Sequence, residues 1–266
     1  MHVISLCVPG AVIYDICTKG DAFIRSELGK VYTKKKYIKS VAFPTSISVN
    51  EVCGHFAATS DESGDSHEYK VLSEGDVVKI DLGVQVNGFS AVVAHTIVIS
   101  NGVVTGRSAD AVLAAYNAIQ AAIRVMFADK NNNYDVTNTI RTVSDSYKVT
   151  PVEGVLSHRM KRDIIDGMET IINNATFDQK VDQRTFEYGD VFGLDVIVST
   201  GEGKPKETTI KTSVYKRALE TTYKLKTDSG RKLLSVVEHN FHTFPFSFNS
   251  FDKEENLNLK ANIVSI

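Results

Sequence analysis

Gly75-Asp-Val-Val-Lys-Ile-Asp81-Leu-Gly-Val-Gln-Val-Asn87-Gly88-Phe89, continued by Ser90-Ala-Val-Val-Ala-His-Thr-Ile-Val-Ile99, is a pair of apolar alternating runs divided by Asn-Gly. A two-residue type I′ turn needs positive φ at both central positions, and Asn-Gly supplies it at little steric cost. The stretch is therefore read as a β-hairpin with strands over 77–86 and 89–99.

Around this hairpin the pattern alternates between helix and strand. Val12, Ile13, Ile16, Phe23, Ile24 and Leu28 recur at helical spacing, with Gly29 as a stop. Val41 to Val49 reads as a strand interrupted by Pro44, hence an edge or a bulge. Asp61 to Glu68 is a polar, acidic loop. Amphipathic helices are expected over 109–127, 136–147 and 229–242, the last ended by Pro245. Val191 to Ser199 reads as a buried strand that stops at Gly201-Glu-Gly203, with Thr208 to Tyr215 as its antiparallel partner. There is no internal period of about 20 to 50 residues, the mark of repeat proteins, and no Ser- or Gly-rich linker. The expectation is one α/β (α+β) domain on an antiparallel sheet.

Composition excludes several classes. The 266 residues are 42% hydrophobic, 9% aromatic and 23% charged, with a formal net charge of −2, as in ordinary globular proteins. Three cysteines, at 7, 17 and 53, give no disulfide framework and point to a reducing compartment. No apolar run reaches the roughly 18–20 residues of a membrane helix. The apolar Val3–Ile16 lacks a basic start and is broken by Pro9, Gly10 and Asp15, so it does not read as a signal peptide. The small net charge hides blocks: residues 1–60 hold seven Lys and Arg against four acids, 61–81 hold seven acids against two lysines, and 201–232 hold nine Lys and Arg against four acids. Such basic blocks can form a footprint for phosphate backbones or can be plain solvated faces.

Familiar catalytic spacings fail. Gly201-Glu-Gly203-Lys204 would need Gly at 198 and Ser or Thr at 205 to be a phosphate loop; the residues are Val198 and Pro205. There is no third glycine for a dinucleotide fingerprint, no His-Glu-x-x-His and no Gly-x-Ser-x-Gly. His239-x-x-His242 has no nearby cysteine or carboxylate at metal-site spacing.

The hairpin segment resembles the sequence around the first metal-binding aspartate of type II methionine aminopeptidases, and more closely that of their non-peptidase relatives, the proliferation-associated (ErbB-receptor-binding, curved-DNA-binding) proteins. The resemblance extends, in order, through Lys19-Gly-Asp21, Ala42-Phe-Pro-Thr-Ser-Ile-Ser-Val-Asn50, Val93-Ala-His95-Thr96, Gly154-Val-Leu-Ser-His158, Ile165-Asp-Gly167, Val198-Ser-Thr-Gly-Glu-Gly-Lys204 and Tyr215-Lys-Arg217. It implies the pita-bread fold, a curved antiparallel sheet covered by helices with internal pseudo-symmetry. It also implies a single domain over 1–266 that is truncated at both ends and lacks the family's closing C-terminal strands and basic tail. Without those strands the sheet edge near Val191–Ser199 is expected to lie open and to favour self-association.

Position by position, the resemblance maps a two-ion peptidase site onto this chain with gaps. The first aspartate ligand corresponds to Asp81, and the second, eleven residues on, to Val92, which has no lone pair to give. The histidine ligand corresponds to His158. The first glutamate corresponds to Asp195, one methylene short, which withdraws the carboxylate by about 1.5 Å where metal–oxygen distances tolerate roughly ±0.2 Å. The final glutamate would lie beyond Ile266. Of the two substrate-side histidines, one corresponds to His55 and the other to Asp166. These six positions are expected to be vestigial, with no metal, no cofactor and no catalytic residue; His95, near the lost ligand, is a further pocket candidate.

Three functions are compatible with this pattern: a non-catalytic binding protein for ribosomes or structured RNA, a methionine aminopeptidase with a divergent site, and an interaction module with no nucleic-acid role. Val92 argues against the second and the basic segments against the third. The resemblance implies growth control, cytoplasmic and nuclear or nucleolar location, no membrane insertion, and DNA or protein as further partners. The phosphate-contacting candidates are Lys34, Lys35, Lys36, Lys39, Arg159, Lys161, Arg162, Lys204, Lys206, Lys211, Lys216 and Arg217. Tyr215 and Tyr223 could stack on bases or lie buried in strands.

Overall fold

The computed structural model describes residues 1–59, 70–208, 210 and 212–251. In chain order its helices and strands are α1 (His2–Leu6), α2 (Ile13–Lys30), β1 (Lys39–Val49), β2 (Val77–Val86), β3 (Phe89–Val98), α3 (Gly106–Val125), α4 (Asn133–Ser146), β4 (Thr150–Pro151), β5 (Leu156–Arg159), β6 (Thr170–Ile172), β7 (Phe192–Gly193), β8 (Val198–Ser199), β9 (Val214–Tyr215), α5 (Asp228–Asn240) and β10 (Phe246–Ser247). The described residues fall into two compact units. The first draws on Met1–Ser73, Lys79–His95 and Thr209–Ile266, the second on Glu74–Val78 and Thr96–Thr208. Among the described residues no helix is long and apolar enough to cross a membrane.

In the first unit β1, β2 and β3 form a sheet in that order. Asn87 (φ 54°) and Gly88 (φ 87°) take the left-handed conformations of the type I′ turn. Gln85, buried beneath that turn, accepts from the Gly88 N–H (2.9 Å) and donates to Ser40 Oγ on β1 (2.8 Å). Pro44 lies on β1, an outer strand, where a missing N–H costs least. Helix α2 buries Ile13, Ile16, Cys17, Gly20, Ile24 and Leu28 along one stripe. Gly20 is needed for contact: a Cβ there would lie 2.6 Å from Thr45 Oγ1 on β1. The helix ends at Lys30, and the Lys39 ammonium donates to the carbonyls of Leu28 and Val31 (both 2.9 Å), satisfying acceptors that a helix terminus leaves open. A second apolar cluster, Leu233, Val237, Phe246, Phe248 and Phe251, ties α5 to the β9–β10 pair.

In the second unit Ala114, Ala118 and Ala122 form a fully buried i, i+4, i+8 stripe on α3, and these small side chains admit Val136 and Ile140 of α4 with Ile171 and Phe186. A capping box starts α4: the Tyr134 N–H donates to Asn132 Oδ1 (2.8 Å) and the Asn132 N–H to Asp135 Oδ2 (2.9 Å). Strands β6-β5-β7 form one antiparallel sheet and β4-β8 a two-stranded one.

The helices expected over 109–127, 136–147 and 229–242 are present as α3, α4 and α5. The single strand over 191–199 is not. Only Phe192–Gly193 and Val198–Ser199 are extended partners, of β5 and β4 respectively. Between them the Asp195 N–H donates to Ser157 Oγ (2.8 Å), a side chain taking a backbone group that a ladder would use, while the Ile197 carbonyl accepts from both the Val152 N–H (2.9 Å) and Asn173 Nδ2 (2.8 Å). Val214–Tyr215 pairs with Phe246–Ser247 instead of this segment. The acidic stretch Asp61–Glu68 lies outside the described residues.

Candidate functional site

Asp81 and Val92 are brought to one face of the hairpin by the two-residue turn, which sets Gly83 opposite Val92. The packing agrees: a Cβ on Gly83 would lie 3.0 Å from Val92 Cγ1 and 2.9 Å from Phe43 Cβ. The Phe43 ring in turn contacts the His55 ring, with centroids 4.8 Å apart. His55 has φ 60°, and its backbone N–H donates to the Asp81 carboxylate. Burial pushes the Asp81 carboxyl up, against the opposing pull of His55 and Lys79.

Lys79 precedes Asp81 by two positions and so shares its face. Its ammonium donates to the Asn50 carbonyl (2.7 Å), and burial draws its pKa down to about 8 despite the acidic groups of Cys53, Asp81 and Glu51 nearby. The period-two pattern places Lys79 beside Asp81, but a lysine in a strand carries no motif that marks it. His95 and Val92 are exposed on β3.

In the second unit His158 lies on β5 between Thr170 of β6 and Gly193 of β7. Its Nδ1 is 2.9 Å from the Gly167 carbonyl, an acceptor, which assigns the proton to Nδ1. Gly167 sits where a Cβ would lie 2.3 Å from the Arg159 carbonyl, so no larger residue fits that turn. Asp166 is exposed beside it, and Asp195 is tied through its backbone to Ser157.

A two-ion centre of the kind the resemblance implies does not fit these residues. Val92 has no lone pair to offer an ion on the face of Asp81. Among the described residues no three His, Cys, Asp or Glu side chains converge on a point where an ion could sit.

The basic candidates divide into two kinds. Lys34, Lys35 and Lys36 are exposed in the turn after α2, Lys35 lying over the Tyr37 ring at 5.5 Å. Lys161 and Arg162 are exposed in a tight turn closed by reciprocal Lys161–Ile164 backbone bonds, with Lys161 3.5 Å from Glu169 and Arg162 3.7 Å from Asp163. Lys204 and Lys206 are exposed, and Lys216 is half-buried. By contrast Lys39 caps α2, Arg159 bridges Glu169 (2.8 Å) and Asp190 (2.6 Å), and Arg217 reaches Glu238 of α5 (3.1 Å). Lys211 lies outside the described residues. Of the tyrosines, Tyr215 packs against Phe246 and Phe248, and the hydroxyl of half-buried Tyr223 accepts from the Ala218 N–H (2.9 Å).

The profile of metallopeptidase family M24 matches residues 1–217. The chain is 42% identical over 257 residues to proliferation-associated protein A of Dictyostelium discoideum, covering 95% of this chain and 65% of that protein. It is 42% identical over 262 residues to the curved DNA-binding protein of Schizosaccharomyces pombe, covering 97% and 68%. The solved structure of a thermophilic Arx1 superposes with a TM-score of 0.87 at 31% identity, covering 99% of this chain and 76% of that one. The chain thus spans about two thirds of the length of the curated relatives it matches. By profile, identity and superposition together, the chain belongs to metallopeptidase family M24, has its pita-bread fold, and is related within it to the proliferation-associated and curved DNA-binding proteins.

Proposed function

We propose that this protein is a non-catalytic member of its family that binds ribosomes or structured RNA in growth control, in the cytoplasm and nucleolus. The observation that carries the reading is Val92, which places a hydrocarbon on the face of Asp81 where the peptidases need a second carboxylate. Without it, two cations in one site lack the negative charge that offsets their repulsion. Binding is assigned to the exposed cations, Lys34–Lys36, Lys161, Arg162, Lys204 and Lys206, with Lys211 and Lys216 completing the set. Contacts of this kind hold phosphates and not base edges, so shape should matter more than sequence. DNA is the alternative nucleic-acid partner, supported by the name of the Schizosaccharomyces pombe relative.

The test is titration with ribosomal RNA fragments and whole ribosomes across a range of salt. Affinity is expected to fall with a log–log slope of about −0.7 to −0.9 per phosphate contact. Charge reversal at Lys34–Lys36 together with Lys204 and Lys206 should flatten that slope. Binding that ignores salt, or that survives the reversal unchanged, rejects the reading.

A further inference from the structure

The segment that joins α2 to β1, Val31-Tyr-Thr-Lys-Lys-Lys-Tyr-Ile38, carries more than charge. Its turn is closed by the Lys35 N–H donating to the Tyr32 carbonyl (3.1 Å), and the Lys39 ammonium anchors its root at the Val31 carbonyl. Among the described residues no acidic side chain pairs with Lys34, Lys35 or Lys36. Tyr32 opens the turn at φ 49°, a left-handed conformation that bulky residues rarely adopt. Its side chain is 59% exposed, so full burial does not offset that strain. The ring is nonetheless held in place. Tyr37 meets it edge to face with centroids 5.6 Å apart, and Lys35 Nζ stands 5.5 Å from the centroid of the Tyr37 ring. An edge-to-face contact occupies at most one face of a ring. Tyr32 therefore keeps a flat apolar face within four residues of three exposed lysines.

Building on the RNA-binding reading above, on which it rests, we propose that Tyr32 stacks on an unpaired base of the bound RNA while Lys34 and Lys36 hold the flanking phosphates. The loop then prefers single-stranded or bulged segments to continuous helix. Inside a helix each base is covered on both faces by its neighbours, so a side-chain ring finds a free face only on a base that is unpaired. Stacking is tolerant of sequence because every base has such a face, and a cationic groove beside the ring supplies the backbone contacts. Lys35 is set apart from its neighbours, since its ammonium lies against the Tyr37 ring that props Tyr32. The layout does not suit a lipid surface. A membrane-docking loop leads with apolar side chains and keeps its cations behind them, whereas here the lysines hold the middle of the segment and Val31, Tyr32 and Ile38 stand at its ends.

The experiment uses the full chain and three RNA probes: a single strand carrying 2-aminopurine, a blunt duplex, and the same duplex with a bulge. Binding of the single strand should quench the 2-aminopurine. Tyr32→Ala and Tyr32→Leu should each weaken the single strand and the bulged duplex by about 5- to 150-fold, the scale of one lost stack, and abolish the quenching. Tyr32→Phe and Tyr32→Trp should retain both. The blunt duplex should be indifferent to all four changes, and the salt slope should not move, because stacking releases no counterions. Circular dichroism and melting of each variant should match the parent, and Tyr32→Leu against Tyr32→Phe separates ring from bulk if the alanine variant folds poorly. Equal losses on blunt duplex and single strand overturn the proposal, since Tyr32 would then act only through the shape of the loop. So does single-strand binding that survives Tyr32→Ala but falls on charge reversal of Lys34–Lys36, an outcome that leaves the RNA-binding reading standing. If no RNA probe and no ribosome is bound, both fall together. Loss of binding to phosphatidylserine vesicles on Tyr32→Ala, with RNA binding unchanged, also overturns the proposal and assigns the loop to lipid.

Discussion

Gly83 and Val92 face each other across the β2–β3 hairpin so closely that a Cβ on Gly83 would stand 3.0 Å from Val92 Cγ1, with Phe43 Cβ at 2.9 Å and the Phe43 backbone nitrogen at 3.0 Å on the other side. Gly83 does not have a left-handed backbone here; it is glycine because there is no room for more. Gly83→Ala is therefore expected to destabilise the protein by about 1–3 kcal/mol, the usual cost of overpacking a site whose neighbours include backbone. Denaturant or thermal melting checks it; an unchanged midpoint would mean that the sheet yields at this point.

A pH dependence follows from Asp21, a buried carboxyl on α2 that accepts from the Thr45 N–H of β1 (2.8 Å). Burial pushes its pKa up, against the Thr45 bonds and the charge of Arg25. The folded state thus holds this proton more tightly than the unfolded chain, whose carboxyls titrate near about 3.9. The stabilising share is complete below that value and is lost as pH rises through the higher folded value. Asp21→Asn keeps an oxygen for the Thr45 N–H and has no charge to desolvate. Its melting temperature should exceed that of the parent at neutral pH and converge with it in acid. A lower melting temperature at neutral pH would show that the ionised carboxylate is required.

These two sites show what the sequence could and could not disclose. The hairpin was legible because turn chemistry is local: Asn87-Gly88 needs no distant partner. The strand expected over 191–199 is interrupted at Asp195, whose N–H is taken by Ser157 Oγ, a residue about forty positions away that no window of alternation can weigh. At the site, Val92 stood out because its spacing from Asp81 is fixed by the hairpin. The positive charges of Lys39, Arg159 and Arg217 are legible in the residue types, but their acceptors are not, being carbonyls and carboxylates of the fold itself. Lys79 was hidden for the opposite reason, being a plain lysine whose environment alone sets it apart.

On catalysis the expectation is direct. Met-Ala-Ser peptides incubated with the protein and cobalt, manganese or iron should release no methionine above a metal-only blank, and calorimetry should detect no pair of ions bound at micromolar affinity. Val92→Asp should not restore turnover, since Asp195 still holds its carboxylate one methylene short of a glutamate's reach. Methionine release that is abolished by chelation and by His158→Ala would overturn the non-catalytic reading.

The last prediction separates cations that hold the fold from cations offered to a partner. Lys39→Ala removes the donor to the Leu28 and Val31 carbonyls at the end of α2 and should lower stability by about 1 kcal/mol, the scale of a lost cap. Arg159→Ala strips one of the two guanidiniums from Asp190, whose side chain is only 5% exposed and also takes Arg184 at 2.7 Å. Burial opposes ionisation of Asp190, but the Arg184 bond, the Glu187 N–H and the charges of both arginines outweigh it and hold the carboxyl below its ordinary range. That stabilisation is present above the unfolded carboxyl value and is lost as pH falls through the folded one. Arg159→Ala should therefore cost about 1–3 kcal/mol at neutral pH and less in acid. Neither change should alter the salt slope of RNA binding, because neither side chain is free to meet a phosphate. Charge reversal at Lys34–Lys36 should do the reverse, leaving the melting temperature almost unmoved and reducing the slope. If Lys39→Ala or Arg159→Ala flattened the slope at unchanged stability, the division between structural and binding cations would be wrong.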